Sequence, residues 1–158
     1  MIHVTVERTV RQRPEVVWEF LTDVSSLSAW VEGLVEATIV GEIKEEPGMR
    51  VDLVRRDAKK RVKATTEVTA WRAPKLLALE TRLDGLMLLD RATLEPTTEG
   101  TALGVYGEFY GKRLAELVTR RGGLIGQAPD NPAIQAIYER SVDALVKRIE
   151  SLASVPYR

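Results

Sequence analysis

Cysteine is absent from the 158-residue chain, and histidine occurs once, at His3. The first absence removes disulfides and thiolate chemistry. The second leaves no two-histidine metal site, so no metal is expected and metal-assisted hydrolysis has no ligand set. No run approaches the roughly 18 apolar residues that a membrane-crossing helix needs. The stretch "MIHVTVERTVRQRP" has no uninterrupted apolar core of the kind a secretory signal carries, and a cytoplasmic location is expected. An excess of one charge is also lacking: 23 Lys and Arg balance 23 Asp and Glu, which leaves no overall pull toward nucleic acid or anionic membrane. There is no G-x-S-x-G nucleophile elbow and no phosphate-binding glycine loop, and no cofactor is called for.

What is present suits one folded domain over residues 1–158. Hydrophobic residues make up 44%, too many for disorder, and a chain of this length buries roughly 70% of its unfolded surface. Val4, Val6 and Val10 alternate with His3, Thr5, Glu7 and Thr9, the period of a half-buried strand, with Arg8 interrupting the apolar side. Pro14 suits the first position of a short helix that carries Val16, Val17, Trp18, Phe20 and Leu21, and Asp23 is placed to cap a second brief helical turn. From Val35 to Gly111 strand patterns follow one another, separated by Pro47-Gly48, Asp84-Gly85 and Glu99-Gly100. Consecutive strands without helical crossovers make an antiparallel meander. After Gly111 the period changes: "KRLAELVTRR" reads as a helix ending at Gly122-Gly123, and the segment 122–132 has no assigned form. A long helix then starts at Asn131 and Pro132, with Ile134, Tyr138, Ser141, Leu145, Ile149 and Leu152 in one stripe.

An antiparallel sheet with one apolar face must cover that face, and the last helix is the only long cover available. Twisted strands curl, and one helix about 10 to 12 Å wide cannot fill the concavity along its length, so an internal cavity is expected.

The stretch "PEVVWEFLTDVSSLSAWV" resembles the opening of the START-like superfamily, with Pro-x-x-Val-Trp, an Asp five residues after Trp18 and Trp30 seven after that. The similarity is greatest to the SRPBCC branch of polyketide cyclase/dehydrase and lipid-transport proteins. "LEPTTEGTALGVYGEF" and "YERSVDALVKRIES" agree with it. The resemblance implies an α+β helix-grip fold: a seven-stranded curved antiparallel sheet wrapped around a long C-terminal helix, two short helices after the first strand, and an apolar cavity. It implies binding or transport of a lipid, isoprenoid, quinone or aromatic polyketide, or else cyclase and dehydratase chemistry in the same cavity. "KEEPGMR" lacks the glycine-rich segment of the plant pathogenesis-related members, and no Gly-Gly-rich strand start marks the chaperone-activator branch.

Strand parity supplies the candidate lining. Val51 and Leu53 come from one strand, and Ala64, Thr66 and Val68 from the next, where Val62 and Ala70 share their parity. Leu79, Leu88 and Val105 come from later strands, and Tyr138, Ser141 and Leu145 from the helix stripe. Trp18 is expected to pack its helix onto the sheet, and Trp30 to stand near the cavity mouth. Tyr138 and Ser141 either meet a ligand or find other partners, Ser141 on its own helix and Tyr138 in solvent. Asp90 shares its parity with Leu88, Ala92 and Leu94 and is the candidate acid or base. Turned inward it needs a cation such as Arg8 or Arg55, and otherwise it is a solvated strand-end residue. Tyr106 has the outward parity. The basic hairpin "RRDAKKR", residues 55–61, has no interleaved aromatics, which argues against nucleic acid. Monomer and homodimer are both compatible with these patterns.

Overall fold

The computed structural model describes residues 2–57, 59–83, 85–111 and 132–153. Strand β1 (Ile2–Val10) leads into helix α1 (Pro14–Thr22) and a 3₁₀ turn (Val24–Ala29). Six strands follow: β2 (Leu34–Val40), β3 (Arg50–Asp57), β4 (Lys60–Arg72), β5 (Leu76–Leu83), β6 (Leu86–Thr97) and β7 (Gly100–Gly111). The long helix α2 (Pro132–Leu152) ends the described chain. Residues 112–131 lie outside the described residues, and with them the helix expected in "KRLAELVTRR" and all but the last residue of the segment 122–132. Among the described residues no helix is long and apolar enough to cross a membrane.

The sheet is antiparallel throughout, in the order β1-β7-β6-β5-β4-β3-β2. Sequential strands β1 and β2 therefore occupy opposite edges, and the passage between them must travel the full width of the sheet. This is what α1 and the 3₁₀ turn do. Pro14 opens α1, and Asp23 accepts the Ser25 backbone N–H at 3.2 Å and the Ser25 hydroxyl at 2.6 Å, satisfying donors that the turn leaves open. Val17, Trp18 and Leu21 face inward from α1.

The main core gathers Val6 and Val10 of β1, Val17 and Trp18 of α1, Leu94 and Leu103 of β6 and β7, and Val142, Leu145 and Ile149 of α2. Leu145 and Ile149 are fully buried, each worth about 1.5–3 kcal/mol relative to exposure. A smaller cluster, Ile2, Val4, Phe109 and Ile134, closes the other end of β1, and Tyr138 packs against both clusters.

The structure corrects three expectations. The pairing of β4 with β5 shifts register between Val68 and Ala70, so Ala70 leaves the face it shared with Val68 and Trp71 takes the inward place opposite Leu77. The extra residue of a bulge reverses parity beyond it. Trp71 then meets Trp18 edge-on at 5.3 Å, the contact that pins α1 to the sheet. Leu152, expected in the buried stripe, is the last residue of the helix and is 57% exposed, and Val142 is buried in the stripe instead. Arg8 does not pair with Asp90. Its Nε donates to Asp143 Oδ1 on α2 at 2.7 Å, the nearer carboxylate where helix and β1 meet.

Candidate functional site

The register lays two rows of inward side chains across the middle of the sheet. One runs Val4, Gly107, Asp90, Leu79, Val68; the next runs Ile2, Phe109, Leu88, Thr81, Thr66, Val51. The single glycine in these rows has a local role. A Cβ on Gly107 would stand 2.7 Å from the Tyr138 hydroxyl and 2.9 Å from its ring. Its absence lets α2 lay Tyr138 over the sheet, edge-on to Phe109 at 5.8 Å, so that Tyr138 Oη donates to Asp90 Oδ1 at 2.5 Å. The second oxygen, Asp90 Oδ2, has no hydrogen-bond partner among the described residues.

Burial pushes the Asp90 carboxyl up to about 6, against the opposing influences of the Tyr138 hydrogen bond and the charge of Arg55. Burial and the adjacent carboxylate push the Tyr138 phenol well above its ordinary value, so it keeps its proton and remains the donor. Asp90 is thus an inward group in mid-strand with a tyrosine partner, not a solvated strand end. Arg55 is the cation that acts on the pair, and its guanidinium is held by the Glu32 carbonyl at 3.0 Å. It is half-buried on the inward face, leaving Arg56, Lys59, Lys60 and Arg61 as the exposed basic residues of the hairpin.

Ser141 finds neither its own helix nor open space: its Oγ accepts the Glu32 backbone N–H at 2.9 Å. Arg140 grips the Glu32 carboxylate with two bonds, at 2.7 and 2.9 Å. Glu32 therefore ties α2 and β3 to the loop entering β2. Thr66 and Thr81 bond each other at 2.7 Å between β4 and β5. Trp30 is half-buried against the main core, and its Nε1 is buried without a partner among the described residues.

Coverage along the inner face is uneven. Around Leu145 and Ile149 nothing is left open, whereas the inward Leu53, Leu79, Leu88, Asp90 and Val105 are only partly covered. An apolar wall with one carboxyl and one phenol, only partly covered, can bind an apolar molecule and hydrogen-bond one polar atom of it.

A family profile described as polyketide cyclase / dehydrase and lipid transport matches residues 1–150. The chain belongs to this family. Among solved structures, TTHA0849 from Thermus thermophilus superposes with a TM-score of 0.74 at 16% identity, covering 96% of this chain and 99% of that one. The Zhui aromatase/cyclase from Streptomyces sp. R1128 does so at 0.68 and 18%, covering 98% of each chain. The di-domain ARO/CYC StfQ of the steffimycin biosynthetic pathway gives 0.76 at 10%, with 98% of this chain and 52% of that one covered. At such identities the likeness shows the shared helix-grip fold. A sequence comparison with curated proteins gives no match.

Within this polyketide cyclase/dehydrase and lipid-transport domain, the residues brought together are Asp90, Tyr138, Leu79, Leu88, Val105, Val68 and Thr66. Val51, Leu53 and Ala64 continue the same face on β3 and β4, while Leu145 sits in the filled core and Ser141 in the Glu32 clasp. Two further signals stand in the sequence: parity in "LLALETRLD" carries Thr81 inward with Leu79, and Gly107 shares the parity of Val105 and Phe109. Glu32 and Arg140 have no such signal. The outer face, where Arg91 stacks over Tyr106 at 5.0 Å, has a recess of about 380 Å³ beside Glu7, Thr93, Glu95 and Gly104. It is open and polar, and Tyr106 lies there as its parity predicted.

Gly107→Ala tests the role of this glycine. The added methyl displaces Tyr138 from Asp90, and because that hydrogen bond holds the carboxyl down, the Asp90 midpoint is expected to rise above its value of about 6. A carboxyl-carbon NMR titration reads the shift, and an unmoved midpoint would show that the tyrosine is held by something else.

Proposed function

We propose that the chain binds a hydrophobic or amphipathic small molecule, of the lipid, isoprenoid, quinone or aromatic polyketide kind, between the sheet and α2. One observation carries this reading: Leu53, Leu79, Leu88 and Val105 point inward and yet are only partly covered. Apolar surface left open in an interior is unfavourable by about 25 cal/mol per Å², and a bound guest recovers that amount. Membership of a family that includes lipid transport supports it.

Native mass spectrometry beside the denatured mass, with organic extraction of anything retained, tests the reading. Plugging the space is the complementary test. Val68 is already covered at 2% exposure, so its open neighbour Leu79 is the better position. Leu79→Trp is expected to weaken a fluorescent apolar probe at least about tenfold while the fold survives an overpacking cost of about 1–3 kcal/mol. Unchanged probe affinity would remove the cavity from this face.

A second reading, acid–base chemistry of the cyclase or dehydratase type, is favoured by the Asp90–Tyr138 pair. A carboxyl near 6, with a phenol at 2.5 Å, is suited to moving protons near neutral pH. Turnover of an aromatic polyketide that disappears in Asp90→Asn would move the assignment from carrier to enzyme.

A further inference from the structure

We propose that the cavity's ligand is a neutral apolar molecule bearing a hydroxyl group, which donates its hydrogen bond to Asp90 Oδ2. The inference rests on the binding reading above and names the chemistry of the guest.

A phenol has one O–H, and that of Tyr138 is spent on Asp90 Oδ1. What the pair still offers is acceptor capacity: the lone pairs of Oδ2, which has no hydrogen-bond partner among the described residues, and those of the Tyr138 oxygen. An ionised carboxylate accepts and cannot donate. A ketone, ester or ether oxygen brought to this point meets another acceptor, whereas a hydroxyl supplies the missing donor.

Charge narrows the class further. Among the described residues, the groups that face Asp90 are Tyr138 from α2 and, acting by its charge, Arg55 from β3; Leu79 of β5 and Gly107 of β7 flank it with no charge. Asp90 already feels the opposite charge of Arg55, so an anionic head meets the carboxylate and a cationic one meets the guanidinium. With Leu79, Leu88 and Val105 around the pair, the rest of the guest is apolar. At pH 7.5 the carboxyl, though pushed up to about 6, is mainly ionised and in its accepting form.

The test uses three ligands of one shape, 2-naphthol, 2-methoxynaphthalene and 2-acetylnaphthalene, titrated into the full chain at pH 7.5 by calorimetry. The naphthol is expected to bind about tenfold or more tightly than the ether and the ketone, as a hydrogen bond to a charged group allows. In Asp90→Asn, Oδ1 still accepts from Tyr138 while an NH₂ replaces Oδ2, so the order should collapse or reverse in favour of the ketone. Tyr138→Phe keeps the carboxylate and should keep the preference, and it serves as the second variant should Asp90→Asn fold poorly. Equal binding of the three by the wild-type chain would overturn the hydroxyl assignment and leave the cavity reading in place. Binding of none would remove both.

Discussion

Asp90→Asn is expected to stabilise the folded protein by about 3 kcal/mol at pH 8 and by about 0.5 kcal/mol at pH 4. The carboxyl has an ordinary value of 3.8 and is pushed up to about 6 in the fold by burial. Between these values the unfolded chain has released its proton while the folded one keeps it, so stability falls as pH rises through the window. Above about 6 the whole cost is present, about 1.4 kcal/mol for each unit of the shift. Asparagine is the neutral stand-in: it accepts from Tyr138 as the carboxyl does and never ionises. Urea denaturation of both proteins from pH 4 to 8 measures the effect. The difference between the two curves matters, because carboxyls such as Asp23, held low by its hydrogen bond from Ser25, impose slopes of the opposite sign common to both. A difference that stays flat across the range would mean that the fold does not hold the Asp90 carboxyl above its ordinary value. A residue whose removal strengthens the fold is the kind that a binding or catalytic task retains.

The legible and illegible parts of this protein divide along physical lines. Alternation such as Val4, Val6, Val10 orients a strand because one face of the sheet is dry, and the same parity carried Asp90 inward with Leu88, Ala92 and Leu94. Parity gives a side and no distance. Arg8 and Arg55 both interrupt apolar faces, and the choice between them depends on where α2 presents Asp143, a tertiary matter. The bulge after Val68 has no residue signature in "KATTEVTAW", so the exchange of Ala70 for Trp71 came only with coordinates. The Glu32 clasp is invisible for a different reason: two of its bonds are made by main-chain atoms, which every residue possesses. Gly107 is the intermediate case. A glycine at an inward position of a strand marks a close approach, here by Tyr138, and the sequence displays it plainly.

Leu145→Ala is expected to cost about 2–5 kcal/mol, and Leu79→Ala about 1 kcal/mol, although both remove the same atoms from inward-facing leucines. Leu145 has no exposed surface and belongs to the core of Val6, Val10, Leu94, Leu103 and Ile149, so truncation deletes contacts on every side and leaves a void that close-packed neighbours cannot refill. Leu79 stands beside Asp90 with part of its surface open, so fewer contacts disappear and the space it vacates adjoins surface that is already uncovered. Equilibrium denaturation of the two variants at one pH gives the comparison directly. The contrast follows from geometry: near Leu145 and Ile149 the buried Val17, Trp18 and Leu21 of α1 reinforce the cover that α2 provides, while α2 meets the row of Asp90 and Leu79 through Tyr138. Equal penalties would mean that the row is as solidly packed as the core, and a wall without a hollow behind it has no place for a guest.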